Sequence, residues 1–197
     1  MIGIRPPAVR RGTIWSKGLG CNGGRKSISR SLEALAAAFL LLFASSAAPA
    51  SAAATLVAFP GSALAGTIIV RTSERKLFLV LGQGRALRYP VGVGREGWQW
   101  AGTSMIDGKY LHPNWVPPAA IKRERPDLPL VIPGGSPSNP MGVAALTLVG
   151  GTYAIHGTNT PNLIGGFVSH GCIRMYNQDI VDLFNRVAIG TPVVVTP

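Results

Sequence analysis

Two short apolar runs, Gly66-Thr-Ile-Ile-Val-Arg71 and Lys76-Leu-Phe-Leu-Val-Leu81, are separated by the polar turn Thr72-Ser-Glu-Arg75. Gly82-Gln-Gly84 then turns the chain into Ala86-Leu-Arg-Tyr-Pro-Val-Gly-Val93. Short runs rich in β-branched and aromatic residues, bounded by Gly and polar clusters, read as strands, so this stretch predicts a three-strand meander. From Gly94 to Gly142 the pattern is lost: Trp98, Trp100, Trp115, Pro113, Pro117, Pro118 and the turn-rich Pro133-Gly-Gly-Ser-Pro-Ser-Asn-Pro140 predict an irregular segment, with a short helix over Pro118–Glu124. A connection of that length usually serves as a cover or binding loop. Strands resume over Ala144–Val149 and Thr152–Ile155. Ile180, Leu183, Phe184 and Val187 recur at the spacing of one helix face, with Asn177 as the expected N-cap and Gly190 as the stop. Pro192-Val-Val-Val-Thr196 closes the pattern as a strand. With no internal repeat and no heptads, the expected fold is a single mostly β (α+β) domain with one main helix.

The first third of the chain follows a different rule. Residues 1–32 carry Arg5, Arg10, Arg11, Lys17, Arg25, Lys26 and Arg30 and no acid before Glu33. An apolar run from Ala34 to Ala48 follows, ending in Ala50-Ser-Ala-Ala53. A basic n-region, a short apolar h-region and an Ala-x-Ala site predict a secretory signal over residues 1–52. A later cut also fits, after Ala63-Leu-Ala65, and the long n-region fits a start codon downstream of Met1. The apolar stretch is shorter than the roughly 20 residues a membrane span needs; retention as an anchor is the alternative. Export to the periplasm or cell wall is therefore expected, with membrane attachment only if the signal is retained.

Export changes how charge and cysteine read. The whole chain has 19 Lys and Arg against 8 Asp and Glu. The part after residue 52 keeps twelve basic and seven acidic residues, a net of +5. That mild charge, without a basic stripe carrying interleaved aromatics, argues against nucleic acid as partner, and it suits an anionic wall polymer. If the signal leaves, Cys21 leaves with it, and Cys172 is the one thiol of the mature chain. A lone thiol in an oxidising compartment is a reactive candidate. Its plain alternative is a buried Cys acting as a small hydrophobe.

Two segments concentrate the chemistry: Ile155-His156-Gly157-Thr158 and Ser169-His170-Gly171-Cys172-Ile173-Arg174-Met175. A thiol needs a base to become a nucleophile at neutral pH, and a group that fixes the imidazole's tautomer. An oxyanion needs convergent N–H donors, which a Gly-containing turn supplies from backbone. His156 ends an apolar strand; His170 lies two residues from Cys172, where side chains of an extended chain point the same way. Sequence physics leaves both as candidate bases. Arg174 beside the thiol fits a carboxylate fork. Zinc held by His156, His170 and Cys172 with His112 is a further alternative, though the paired close spacings of structural zinc sites are missing.

His156-Gly157-Thr158 followed by the block Ser169–Met175 closely resembles the signature of the L,D-transpeptidase catalytic domain, called YkuD-type. The resemblance extends over residues 66–197 and takes in Pro90-Val-Gly-Val-Gly94, Pro113–Pro118 and Asn139-Pro-Met-Gly142. It implies a β-sandwich or barrel of antiparallel and mixed strands with the helix after the cysteine loop. It implies Cys172 as nucleophile, His156 as general base and acid, and the Gly157 carbonyl as the group orienting His156. The Gly171 and Cys172 N–H groups would form the oxyanion hole, and Arg174, His170, Ser169 and Thr158 would contact substrate. Where many relatives have Thr-Pro-x-Gly after the third strand, this chain has Trp98-Gln-Trp-Ala-Gly-Thr103, so that loop shapes the cleft differently.

The implied reaction joins peptidoglycan stem peptides as donor and acceptor, with carbapenem-type β-lactams as covalent inhibitors and neither cofactor nor metal. Water as acceptor would make the same site an L,D-carboxypeptidase, and a lysine amine would make it a protein-anchoring enzyme. A non-catalytic wall-binding module is the alternative from another class; it would be expected to lack Cys172 or His156.

Overall fold

The computed structural model describes residues 54–197. The expected secretory signal, its expected first cleavage site and Cys21 lie outside those residues. The expected meander is present as β2 (Ile68–Arg71), β3 (Lys76–Gly82) and β4 (Arg85–Pro90), paired antiparallel in sequence order. The last residues assigned to the third run separate as β5 (Val93–Gly94), which leaves the meander to pair in parallel with β9 (Phe167–Ser169). This small sheet sets the start of the cysteine block against the end of the meander.

A further strand, β1 (Thr55–Ala58), precedes the meander and pairs antiparallel with β4. The sheet thus begins upstream of residue 66. The alternation of β3 explains why β1 is needed. Leu77 and Leu79 face the main core, while Phe78 and Val80 face outward and are covered by Phe59, with Ala86 beside them. The Phe59 and Phe78 rings are 5.1 Å apart, and the Arg71 guanidinium lies over both.

The stretch expected to be irregular contains the longest strand, β6 (Gly102–Leu111). Only Ile106 and Gly108 are buried along its ten residues, so its sequence carries no apolar alternation to read. Its pairing explains its presence. Through Gly102–Met105 it pairs with β11 (Pro192–Thr196), and through Ile106–Leu111 with β7 (Ala144–Leu148), with a register shift between Ile106 and Gly108. A bulge at that point lets one strand turn from one half of a sheet to the other. The strand order is β1-β4-β3-β2-β11-β6-β7-β8-β10, where β8 is Ala154–His156 and β10 is Ile173–Arg174. The β2–β11 and β8–β10 pairs are parallel, so the sheet is mixed, as the resemblance implies.

Both halves and the main helix α2 (Asn177–Arg186) share one core. Ile68, Leu79 and Val195 from one half meet Leu146, Leu148 and Ile155 from the other, with Ile180, Leu183 and Val187 closing the layer. The helix keeps the predicted apolar face but ends before Gly190. Lys109 of β6 stops it, its ammonium donating to the Phe184 and Val187 carbonyls at 2.6 Å each. A cation there satisfies orphan carbonyls and complements the helix dipole. A short helix, α1 (Ala119–Glu124), also forms where expected. It buries none of its residues.

Candidate active site

The parallel pairing of β8 with β10 places Ile173 beside Ile155 and Arg174 beside His156. Side chains two residues apart on a strand share a face. His156 and Arg174 therefore share one face at the sheet's end, and Cys172, immediately before β10, meets the backbone of Ala154. His156 is buried, and its Nδ1 lies 2.6 Å from the Gly157 carbonyl oxygen. Donation to that carbonyl puts the proton on Nδ1 and leaves Nε2 as the basic nitrogen. Gly157 has no room for a side chain, since a Cβ there would collide with the Asn177 carboxamide.

Asn177 is the first residue of α2 and not its cap; the capping position is Tyr176, without a side-chain cap bond. The Asn177 carboxamide is used elsewhere, its Oδ1 accepting from the Thr158 N–H at 3.0 Å. The start of α2 thus fixes the loop that orients His156. Thr158 is buried, its hydroxyl accepting from the Thr160 N–H at 3.0 Å. On its other side lies an open cleft of ≈ 320 Å³ walled by His112, Ser136, Asn139, Thr158, Asn159 and Asn177.

The cysteine turn is held from within and from outside. The Ser169 hydroxyl donates to the Cys172 carbonyl at 2.6 Å and accepts from the Gly171 N–H at 3.0 Å. Two expectations change as a result. Ser169 is a buried clamp of the turn and not a surface for substrate, and the Gly171 N–H is spent inside the turn instead of facing an oxyanion. Gly171 itself is required, because its φ of 107° lies in the left-handed region and a Cβ would strike the Tyr153 ring. Trp100, from the loop before β6, donates its indole N–H to the Gly171 carbonyl at 2.9 Å.

His170 is turned to other partners than the thiol. Its Nε2 is 3.0 Å from Glu124 and 2.8 Å from the Arg95 guanidinium, and its ring packs edge-on against Trp98. Arg174 is largely withdrawn from solvent, and its Nε is buried without a partner among the described residues. Among the described residues no group of three His, Cys, Asp or Glu side chains is arranged to hold a metal.

Burial governs the protonation of the pair. It pushes the Cys172 thiol above its usual value, against a backbone hydrogen bond at Ala154 and the Arg174 charge, which both pull it down. Burial also lowers His156 to about 4, helped by the Arg174 charge and opposed by the Gly157 carbonyl. Burial lowers Arg174 in turn. Burial thus disfavours the charged form of each group, while the Arg174 charge favours the Cys172 thiolate and disfavours the His156 imidazolium.

Sequence reasoning did not single out Trp100, Tyr153 or Asn177 as supports of the site. Each acts through tertiary contact, and only the paired tryptophans of Gly97-Trp-Gln-Trp100 gave any local signal.

The model of the L,D-transpeptidase catalytic domain (YkuD) family matches residues 65–195. The chain is 39% identical over 135 residues to the probable L,D-transpeptidase YbiS of Escherichia coli strain K12, covering 64% of this chain and 43% of that one. It thus spans less than half the length of such curated relatives. In fold it is similar to L,D-transpeptidase 3 from Mycobacterium tuberculosis in complex with a faropenem-derived adduct, at TM-score 0.51 and 18% identity over 66% of this chain and 60% of that one. The NMR structure of the catalytic domain from the E. faecium L,D-transpeptidase gives TM-score 0.51 and 20% identity, over 66% of this chain and 95% of that one.

Proposed function

The chain belongs to the L,D-transpeptidase catalytic domain family, and we propose that it is an exported cysteine acyltransferase that cross-links peptidoglycan stem peptides through Cys172. The observation that supports this reading is the β8–β10 register, which pairs Arg174 with His156 directly after Cys172, with His156 tied to the Gly157 carbonyl. The family supplies the substrate class, and the residues supply the chemistry.

Burial works against a charged thiolate–imidazolium pair at rest, and this sets the order of events. As the Cys172 sulfur attacks the carbonyl of the L,D-peptide bond before the terminal D-alanine, its proton passes to His156 Nε2. The tetrahedral oxyanion is met by the Cys172 N–H, since the Gly171 N–H is held by Ser169. His156 then returns the proton to the leaving amine; the C–N bond breaks and a thioester remains. The side-chain amine of another stem's diamino acid attacks the thioester, loses its proton to His156 and forms the 3→3 link, restoring the thiol. The Arg174 charge acts on both reacting groups, and its buried Nε has no hydrogen-bond partner among the described residues. Forming charge only in the transition state avoids holding a buried ion pair at rest, at the cost of a slower free thiol.

Intact mass after exposure to a carbapenem tests the nucleophile. One adduct is expected on the wild type and none on Cys172→Ala, with acylation slowed at least 100-fold in His156→Gln. An adduct that persists on Cys172→Ala would falsify the assignment. Muropeptide profiling with a tetrapeptide donor reads the acceptor: 3→3 dimers support transpeptidation, and tripeptide alone makes the enzyme a carboxypeptidase.

A further inference from the structure

One charged cluster beside the thiol has no part in the proton transfers. His170 is two residues before Cys172. Arg95 follows β5, and its N–H donates to the Ser169 carbonyl at 2.9 Å, so it too is fixed to the cysteine block. Trp98 backs both groups, with its ring 4.7 Å from the His170 ring and 5.8 Å from the Arg95 guanidinium carbon. A carboxylate lies against both groups, which also touch each other, with Arg95 Nη2 2.8 Å from His170 Nε2. Glu124 Oε1 is 2.7 Å from Arg95, and Oε2 is 3.0 Å from His170.

The seat and its occupant belong to different parts of the fold. Arg95, Trp98 and His170 are attached to the cysteine turn, whereas Glu124 ends α1, a six-residue helix that buries none of its side chains. Glu124 is held below the usual carboxylate range by its hydrogen bond with His170 first and by Arg95 as well, although burial opposes this. An exposed pair of this kind contributes little to stability. Exchange of one carboxylate for another at the same donors is therefore nearly even in energy. A donor peptide that ends in a D-amino acid brings such a group one residue beyond the bond to be cut.

We propose that Arg95 and His170 form a binding site for the terminal carboxylate of the acyl donor, and that Glu124 occupies it at rest and is displaced by substrate. The proposal rests on reading Cys172 as the nucleophile. A cationic seat at a fixed distance from the thiol makes the enzyme measure from the free end of the stem. It selects the last peptide bond, and it disfavours donors whose terminus is amidated or extended. Planar guanidinium donors suit a carboxylate geometrically.

The test uses the full chain and needs no turnover. Alkylation of Cys172 by iodoacetamide is followed by peptide mass mapping in the presence of N-acetyl-D-alanine or N-acetyl-D-alaninamide, each variant being referred to its own unprotected rate. The acid should protect saturably and the amide should not. Glu124→Gln should lower the half-protecting concentration roughly fivefold or more, by removing the competitor, and Arg95→Gln should raise it by a similar factor, with Arg95→Lys between them.

Equal protection by acid and amide, no protection by either, or shifts of the same sign in Glu124→Gln and Arg95→Gln would overturn the site. A tetrapeptide donor amidated at its terminal D-alanine should lose sensitivity to both variants, whereas one amidated at the diamino acid should keep it; the reverse result also overturns the assignment. Protection that follows the expected pattern in a protein that forms no thioester would retain the carboxylate site and refute the acyl-transfer reading alone.

Discussion

The Trp100 indole lies flat on the Tyr153 ring, 4.8 Å between centroids and 5° from parallel, while its N–H reaches the Gly171 carbonyl at 2.9 Å. The residue before the thiol is thus braced by a side chain from a distant loop. Trp100→Phe keeps an aromatic ring on Tyr153 and removes the donor. A stability loss of about 1 kcal/mol is expected for the hydrogen bond. A tenfold or larger fall in the carbapenem acylation rate is expected from a displaced nucleophile. Thermal melts and time-resolved intact mass read the two effects separately, and unchanged acylation would mean that the turn holds its shape without the indole.

His156 gives the fold a dependence on acid. In the unfolded chain it titrates near 6.5, but in the native state near 4. Below the higher value the unfolded chain binds a proton that the native site refuses. The contribution to stability is complete above pH 6.5 and is lost as pH falls through 4, on the order of 3 kcal/mol in all. Denaturant midpoints from pH 7.5 to 4 should show this decline, and His156→Gln should flatten it. The acid limb of the acylation rate should likewise lie well below 6.5, and a limb at the ordinary histidine value would contradict a buried neutral base.

Asp179 acts in the opposite sense. It is buried in the first turn of α2, and its Oδ2 has no hydrogen-bond partner among the described residues. Burial and then the charge of Asp182 raise it from 3.8 to about 6. An acid raised in this way favours the native state below 3.8, and that advantage disappears as pH climbs through 6. Asp179→Asn should therefore be more stable than wild type at pH 8, by about 1–3 kcal/mol. Near pH 4 the two proteins should differ little. Urea titrations at the two pH values decide this, and an Asn variant less stable at pH 8 would reveal a partner for the carboxylate.

The N-terminal boundary can be tested by truncation. A chain starting at Gly66 lacks β1 and Phe59, and so uncovers Phe78 and Val80. Burial of one phenylalanine contributes about 1.5–3 kcal/mol, so the shorter chain should melt several degrees below one starting at Ala54. N-terminal sequencing of exported protein should find cleavage before Thr55. A mature terminus at Gly66, with an undiminished melting temperature, would make β1 dispensable.

The sequence made legible whatever was written in local periodicity. The meander and the apolar face of α2 follow from short-range pattern alone, and the block around Cys172 carried the family resemblance. β6 was hidden because it is a corner strand with two buried positions, where pairing on both sides replaces hydrophobic alternation as the reason for extension. Asn177 looked like a cap because caps and loop-holding carboxamides need the same side chain. The roles assigned to Ser169 and to the Gly171 N–H could not be separated in sequence, since the bond between them depends on how the turn closes. The choice of partner for His170 depended on Arg95 and Glu124, 75 and 46 residues away.

The clamps on the cysteine turn come from Ser169 and Trp100, and neither belongs to the long connection between β6 and β7. That connection meets the two active-site loops through its Glu124 side chain on His170 and through its Pro137 carbonyl, which accepts from the Asn159 carboxamide of the His156 loop. The clamps that shape the cysteine turn are thus distinct from the connection that walls the neighbouring cleft. Gly142 marks the limit of that separation, since a Cβ there would strike the Asn177 carboxamide and the Gly157–Thr158 backbone: changes confined to the exposed stretch before Asn139 alter the approach to the site, whereas changes that reach Gly142 alter the loop that orients His156.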